Sequence, residues 1–265
     1  MAHEIIGMRD WLETPAGRYL LSWERARFDD AVSDLFGYHA LQLGMPQLDT
    51  LQTNRMPHQW LAMPDVASSR MLLTRGDVLI SDFAALPFPQ ASLDLVVMPH
   101  TLEQHDDPHA TLREVDRVLV PEGRLVVCGF SPTSLWAMRE RRSRLYGRWG
   151  QPYLPAHRQH IGYWRLRDWL RLLSFEVESA QFGCYRPAVR TDAWLERFGW
   201  TDKLGARWWP IFGAAYFVVA VKRVRGMRLL EPGWRSQRSP AGAVPVSSRS
   251  AAQTPVGRRL PPAQH

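Results

Sequence analysis

The chain has 265 residues, of which 45% are hydrophobic and 22% charged, and its formal net charge is +7. This composition is typical of a globular protein with one sizeable core and excludes a chain too polar to fold. No apolar run reaches the roughly 18–20 residues that span a bilayer, and the start of the chain lacks the layout of a signal peptide. Because both cysteines, Cys128 and Cys184, fall in strand-like segments, we expect buried thiols and a cytoplasmic protein.

More than half of the net positive charge comes from one segment of the chain. Residues 229–265 hold five arginines and one glutamate among Ser, Pro, Ala, Gln and Gly, a composition that predicts a disordered basic tail. A second cluster, RERRSRLYGR (139–148), lies on a predicted helix, where a solvated face is the simpler interpretation. The alternatives there are an anionic substrate or a peripheral contact with a membrane. Because little excess charge remains elsewhere, the sequence does not favour nucleic acid as a partner.

The first predicted element is an amphipathic helix over residues 15–36, with Thr14 as its cap and Pro15 in its first turn. Six later segments have the apolar character of strands: HALQLGM (39–45), DVLISD (77–82), LDLVVMP (93–99), RLVVCGF (124–130), FEVESAQFG (175–183) and AAYFVVAVKR (214–223). Helical patterns lie between several of them. Strands that alternate with helices predict a doubly wound, mostly parallel α/β sheet.

An ordered set of motifs lies in the middle of the chain. It comprises Asp82, Leu86-Pro87-Phe88, Leu93 to Val97, Leu102-Glu103-Gln104-His105, Asp107-Pro108, Leu112-Arg113-Glu114, Arg117-Val118-Leu119 and Pro121-Glu122-Gly123. In this order and spacing the set resembles the class I S-adenosylmethionine-dependent methyltransferases, in particular the small-molecule-type, methyltransferase type 11-like group. The resemblance covers residues 37–222. It implies a Rossmann-like, seven-stranded sheet with an antiparallel last hairpin, S-adenosyl-L-methionine as cofactor, and a small-molecule methyl acceptor.

The resemblance also assigns cofactor-binding residues, which are Gln42, Gly44, Met45, Asp82, Phe83, Pro99 and His100. By the family's pattern, Asp82 accepts a hydrogen bond from the adenine amine, and Phe83 supplies an apolar face. Methyl transfer depends mainly on alignment and needs a general base only for a protonated nucleophile. His100 and His105 are the nearest candidates for that base, although a hydrogen-bonding histidine is the simpler interpretation. HDDPH (105–109) fits a helix N-terminus better than a metal site, so no metal is predicted.

The loop after the first predicted strand departs from the family's acid-x-Gly-x-Gly-x-Gly pattern. Gln42 stands in the acidic position, Gly44 matches the first glycine, and Met45 begins the stretch where the others belong. No acid ends the second strand, and Asp65 lies slightly beyond it. Only 38 residues separate Gly44 from Asp82, so we expect a sheet that is trimmed at its second and third strands.

The predicted domain spans residues 1–228, with a core over 37–222 and cap or lid candidates at 149–162 and 190–212. In the first lid, Tyr153, His157 and His160 are candidate substrate contacts, and packing of a surface loop is the equal alternative. In the second lid, core packing of Trp208, Trp209 and Phe212 is favoured over a patch that touches a membrane or an apolar substrate. The favoured function is methyl transfer to a small molecule. The alternatives are a catalytically inactive, methyltransferase-like binding or regulatory protein and, third, an RNA methyltransferase.

Overall fold

The computed structural model describes residues 7–65, 77–145, 153–155 and 159–223. Seven strands form one sheet in the order β3-β2-β1-β4-β5-β7-β6. The strands are β1 (His39–Leu43), β2 (His58–Met63), β3 (Val78–Ile80), β4 (Leu93–Pro99), β5 (Leu119–Phe130), β6 (Phe175–Gly183) and β7 (Ala215–Lys222). β1 to β5 pair in parallel, whereas β7 is antiparallel to both β5 and β6. The predicted fold class, including the antiparallel last hairpin, is confirmed.

Helices cover both faces of this sheet, as the doubly wound prediction requires. They are α1 (Met8–Leu12), α2 (Pro15–Val32), α3 (Thr101–Gln104), α4 (Pro108–Val118), α5 (Leu135–Leu145), α6 (Tyr163–Leu172), α7 (Asp192–Arg197) and α8 (Trp200–Trp208), with a 3₁₀ turn at Pro210–Phe212. One core cluster contains buried residues of α1 and α2, and the other contains buried residues of α4 and α6.

Helix α2 forms where the sequence predicts it. The Thr14 hydroxyl oxygen accepts a hydrogen bond from the Gly17 N–H at 3.2 Å, and Pro15 occupies the first turn. Leu20, Phe28 and Val32 are buried on the inner stripe of the helix. Glu24 is buried on that same apolar stripe, where a carboxylate is unusual.

The connection from β1 to β2 contains only turns and irregular chain over residues 45–57. Leu48, Leu51 and Met56 bury their side chains in the core cluster that contains α2. The Asn54 amide donates to the backbone oxygens of Val32, at 2.8 Å, and Leu35, at 3.2 Å, which fastens the connection to the end of α2. The sheet is therefore trimmed by loss of the crossover helix and by a β3 of only three residues, while all seven strands remain.

The structure corrects one prediction about packing. Trp208, Trp209 and Phe212 were expected in the core, but between 50% and 67% of each residue is exposed. Both cysteines are buried free thiols, as predicted. Over the described residues, no helix combines the length and the apolar character needed to cross a bilayer. The predicted tail, 229–265, and half of the 149–162 lid, including His157, lie outside the described residues.

Candidate functional site

The carboxyl edge of the sheet brings three chain segments together. Because β1, β3 and β4 are parallel, the loops that follow them meet at one edge, where open α/β sheets bind ligands. Gly44 follows β1 in the left-handed conformation, with φ +72°. A Cβ built on it would lie 3.7 Å from the Phe83 ring and 3.8 Å from the Thr101 hydroxyl oxygen. That hydroxyl donates to the backbone oxygen of Leu43 at 2.5 Å, which joins the ends of β1 and β4.

The loop after β3 leaves a carboxylate exposed beside a buried ring. The Asp82 side chain is 65% exposed, and its Oδ1 accepts a hydrogen bond from the Ala84 N–H at 2.9 Å. The Phe83 ring is buried between Gly44 and His105, with 5.8 Å between its centroid and that of the imidazole. The Nε2 of His105 lies 3.4 Å from the Asp82 carboxylate. The predicted acid and the predicted apolar face are therefore adjacent at the edge.

Two side chains of α4 hold the loop after β3 from outside. The Glu114 carboxylate accepts the Leu86 N–H at 2.8 Å, and the Arg117 guanidinium donates to the backbone oxygens of Leu86 and Phe88 at 3.1 and 2.9 Å. Arg117 also forms a two-pronged pair with Glu114, and the hydrogen bonds from Arg117 lower the pKa of that carboxyl. In the sequence, Arg117 is one member of the ordered motif set. The structure shows that it fixes the segment that presents Asp82.

The loop after β1 is held by its own side chain. The Gln42 amide nitrogen lies within hydrogen-bond distance of the backbone oxygens of Gly44, Met45 and Leu48, at 3.1, 3.0 and 2.8 Å. Its oxygen accepts the Thr50 N–H at 3.1 Å and the Thr50 hydroxyl at 2.8 Å. Both polar atoms of the buried Gln42 side chain are thus engaged inside the loop, and a contact between Gln42 and the cofactor stays a prediction.

A buried charged cluster lies behind this edge, below the turn after β4. The His100 ring nitrogens contact two carboxylates, with Nε2 2.6 Å from Glu24 Oε1 and Nδ1 2.9 Å from Glu103 Oε2. The Cys128 thiol donates to Glu24 at 3.1 Å, and the Phe130 N–H donates to Glu103 at 2.6 Å. Burial opposes the charge on His100, but the two carboxylates outweigh it and raise the pKa of the imidazole to about 10.

The cluster also explains a strained backbone. His100 has φ +52° and ψ +14°, in the left-handed region that residues with a side chain seldom adopt. Such strain persists where the surroundings overdetermine it. Here the two carboxylates clamp the ring, and the His100 N–H donates to the backbone oxygen of Cys128 at 2.9 Å. Sequence reasoning missed Glu24, although a charge on the inner stripe of an amphipathic helix is a signal that could have found it.

Comparisons with known proteins agree with this geometry. A family model described as a methyltransferase domain matches residues 61–127. A chain from a Haloferax volcanii complex with the methyltransferase activator Trm112 superposes with a TM-score of 0.58 at 16% identity, over 84% of this chain and 99% of that one. An Archaeoglobus fulgidus SAM-dependent methyltransferase superposes with a TM-score of 0.55 at 17% identity, over 76% and 94%. At these identities the superpositions show a shared fold.

The matched segment and the shared fold make the chain similar to S-adenosylmethionine-dependent methyltransferases. Among curated proteins, it is 29% identical to the uncharacterized protein YafS of Escherichia coli K12 over 168 residues, or 63% of this chain and 65% of that protein. It is 36% identical to the malonyl-[acyl-carrier protein] O-methyltransferase of Halorhodospira halophila over 67 residues, or 25% and 23%. The chain thus spans less than two thirds of the length of these curated relatives.

Within a methyltransferase of this class, the cofactor implied is S-adenosyl-L-methionine, and the two histidines have different surroundings. His100 is fully buried, and both of its ring nitrogens contact carboxylates that raise its pKa. These contacts favour the alternative of a hydrogen-bonding histidine, and the role of His100 as a base stays a prediction. His105 is partly exposed and lies beside Asp82, so it stands at the end of the site where the resemblance puts adenine rather than the methyl group.

The charged cluster has the distances of an ion-pair network. Ligand-type atoms of Glu24, His100 and Cys128 all lie within 4.8 Å of one another. Two ligands of one tetrahedral zinc ion lie about 3.3 Å apart, whereas 2.6 Å separates His100 Nε2 from Glu24 Oε1. Burial raises the pKa of the Cys128 thiol well above its usual value. The atoms therefore carry protons and share them in hydrogen bonds.

Among the predicted substrate contacts, Tyr153 has an ordinary packing environment. Tyr153 is buried, its hydroxyl donates to the Val189 oxygen at 3.0 Å, and its N–H donates to Glu140 at 2.7 Å. Its ring packs edge-on against Trp136. These contacts favour the alternative of loop packing for Tyr153. His160 is partly buried, and its role in binding a substrate stays a prediction.

Proposed function

We propose that this protein transfers a methyl group from S-adenosyl-L-methionine to a small molecule, and that the cofactor lies across Gly44, Asp82, Phe83 and Pro99. The observation that supports the proposal is the convergence of Gly44, Phe83 and Thr101 at the carboxyl edge of the sheet. The Phe83 ring lies within van der Waals range of the position that a Cβ on Gly44 would take. A flat apolar ring with a polar edge fits beside Phe83 and the exposed Asp82 carboxylate.

The two ends of the proposed site are unequal. At the adenine end, the Asp82 carboxylate has most of its surface exposed and can accept a further hydrogen bond. At the methionine end, the backbone oxygens of Gly44 and Met45 already accept from Gln42. We therefore expect the adenine end to contribute more to affinity than the methionine end.

The proposed chemistry relies on alignment. When bound, the cofactor supplies an electrophilic methyl group, and the protein holds the acceptor in line with it and excludes water. His100 is protonated and buried, and His105 lies at the adenine end. The acceptor atom that fits this site is therefore one that is nucleophilic without a histidine base, such as a carboxylate oxygen or an unprotonated amine.

A second candidate is a binding or regulatory protein that no longer transfers methyl groups. The closure of the β1 loop by Gln42 favours it, because that loop carries glycines in the family pattern and is filled here by a side chain. No observation in the described residues favours RNA methylation over these two.

Calorimetric titration with S-adenosyl-L-methionine and its demethylated product tests the proposal. We expect binding of both, and about tenfold weaker binding by Asp82→Ala, since loss of one hydrogen bond to a charged acceptor costs roughly 1.5 kcal/mol. Asp77→Ala is the matched control, because Asp77 is exposed just before β3, at the opposite edge of the sheet. It should bind as the wild type does.

Three outcomes separate the candidates. Failure of the folded full chain to bind either compound would contradict the proposal. Binding of both compounds without methyl transfer to any acceptor in a broad panel supports the binding-protein alternative. Equal losses in Asp82→Ala and Asp77→Ala would show that the adenine end is somewhere else.

A further inference from the structure

An exposed apolar surface lies on α5, α8 and the 3₁₀ turn. We call it the aromatic face, and it consists of Leu135, Met138, Trp200, Leu204, Trp208, Trp209, Ile211 and Phe212. Between 43% and 67% of each of these residues is exposed. Single exposed apolar residues are common on proteins, but several that come together on one surface mark an interaction site.

Five members of the aromatic face line one groove. It has a volume of about 300 Å³, and its apolar walls come from Leu135 on α5, Trp200 and Leu204 on α8, and Trp209 and Phe212 beyond α8. The groove therefore bridges two helices that are distant in sequence. An acyl chain has the width and the chemistry to enter such a groove.

The aromatic face is fixed to the protein from behind. A Cβ built on Gly205 of α8 would lie only 2.3 Å from the Tyr185 ring, so the helix packs closely against that ring. The Tyr185 hydroxyl donates to the Pro210 oxygen at 2.8 Å. Asp202 accepts from Arg186 Nε at 2.9 Å and from the Tyr19 hydroxyl. With its inner side anchored, the segment presents its tryptophans outward as a firm surface.

The exposed charges on the two segments that carry the aromatic face have one sign. Over residues 135–143 and 200–212, every exposed charged residue is basic, namely Arg139, Arg141, Arg142, Lys203 and Arg207. The two acids of these ranges point inward, since Glu140 is buried and Asp202 binds Arg186. The surface thus combines an apolar centre with a positive rim.

We propose that the aromatic face docks on an anionic lipid bilayer. Tryptophans favour the interface between headgroups and acyl chains, and neighbouring lysines and arginines bind acidic headgroups. A second copy of the chain fits less well, because a symmetric contact would bring the same arginines of both copies together. Charge complementarity therefore selects the bilayer as the partner.

The aromatic face adjoins the same edge of the sheet as the candidate cofactor site. β5 ends and β7 begins at the carboxyl edge of the sheet, and α5 and the 3₁₀ turn adjoin these two strand ends. The candidate cofactor site lies at the same edge, over β1, β3 and β4. Docking would turn that edge toward the lipid and favour an acceptor drawn from the membrane. The docking itself does not depend on the proposed methyl transfer.

Cosedimentation of the full chain with vesicles tests the proposal without any cofactor. We expect binding to vesicles of phosphatidylcholine with phosphatidylglycerol and much weaker binding to phosphatidylcholine alone. Trp208→Ala/Trp209→Ala should weaken binding to the anionic vesicles at least about tenfold, because two interfacial anchors are lost. Arg141→Glu/Arg142→Glu should also weaken it, by removing attraction to the headgroups.

Trp164→Ala is the matched control, since Trp164 is 56% exposed on α6, outside the aromatic face. It should bind as the wild type does, and circular dichroism should show all variants folded. The arginines of residues 229–265 remain in every variant, so adsorption through them alone would leave Trp208→Ala/Trp209→Ala unchanged, and that result overturns the proposal. Sedimentation velocity that shows a dimer broken by the tryptophan changes, together with no vesicle binding, would also overturn it.

Discussion

Two loops at the same edge of the sheet differ in how they are held. The loop after β1 is held from inside, because the Gln42 side chain bonds to the backbone of its own loop. The loop after β3 is held from outside, because Glu114 and Arg117 of α4 bond to its backbone. The first loop therefore has few polar groups left to offer a ligand, whereas the second presents the Asp82 carboxylate.

The contrast between the two loops shows which end of the site keeps groups that can bind a ligand when the glycine-rich motif is lost. A glycine-rich loop leaves its backbone open to a ligand, and here a glutamine side chain occupies that backbone. The neighbouring loop keeps the acid and the aromatic ring, and its supporting pair is intact. A family motif can thus change at one end of a site while the other end keeps its geometry.

The largest effect that we predict is on stability, from Gln42→Glu, which restores the acid of the family pattern. The new carboxylate would face three backbone oxygens that now receive hydrogen bonds, and it would be buried. An uncompensated buried charge costs about 3–5 kcal/mol. Urea denaturation should show a fall of that size in the free energy of unfolding.

Gln181→Glu is the control for this change. Gln181 is exposed on β6 and accepts from Arg27 at 3.0 Å, so a carboxylate there gains a cationic partner. Its stability should stay within about 0.5 kcal/mol of the wild type. If Gln42→Glu is equally harmless, the loop after β1 is not held by its glutamine, and the contrast between the two loops disappears.

The second predicted effect is a dependence of stability on pH, which arises from the buried charged cluster around His100. The folded state raises the pKa of His100 to about 10, from about 6.5 in an unfolded chain. The stabilisation is therefore complete below pH 6.5 and is lost as the pH rises through about 10. The free energy of unfolding should fall between these values by up to about 1.4 kcal/mol per pH unit.

Two variants assign this slope to the cluster. His100→Gln removes the titrating group, so its unfolding free energy should lack this part of the slope. Glu24→Gln keeps the imidazole but removes one carboxylate that raises its pKa, so the loss should still begin near the unfolded-chain value of about 6.5 but should end at a lower pH than in the wild type. A wild-type slope in both variants would mean that another group titrates, and that the cluster does not hold the turn after β4.

Much of the fold could be predicted from the sequence because its signals are local. Helix α2 begins at Thr14 and Pro15 as the cap pattern predicts, and the apolar runs of β4 and β5 form the centre of the sheet. The loss of the first crossover helix could be predicted only as a shortage of residues. What replaces it, Asn54 bonded to the end of α2, depends on contacts across the fold that no local pattern encodes.

The site could be predicted less completely, for a physical reason. The motif pattern predicts Gly44, Asp82 and Phe83, and they do meet at one edge. The pattern does not tell whether a side chain turns toward a ligand or into its own loop, and Gln42 does the latter. It also does not show that His100 is enclosed by Glu24, which is 76 positions away in sequence. Burial and long-range partners decide such roles.

The central claim is that the cofactor binds at the adenine end of this edge, on the loop after β3. A crystal structure of the full chain with the demethylated product, S-adenosylhomocysteine, tests it most directly. We expect density for the adenine ring against Phe83, with the adenine amine donating to the Asp82 carboxylate and the sugar directed toward Gly44. Density for the ligand at another edge of the sheet, or a site left without ligand at saturating concentration, would contradict it.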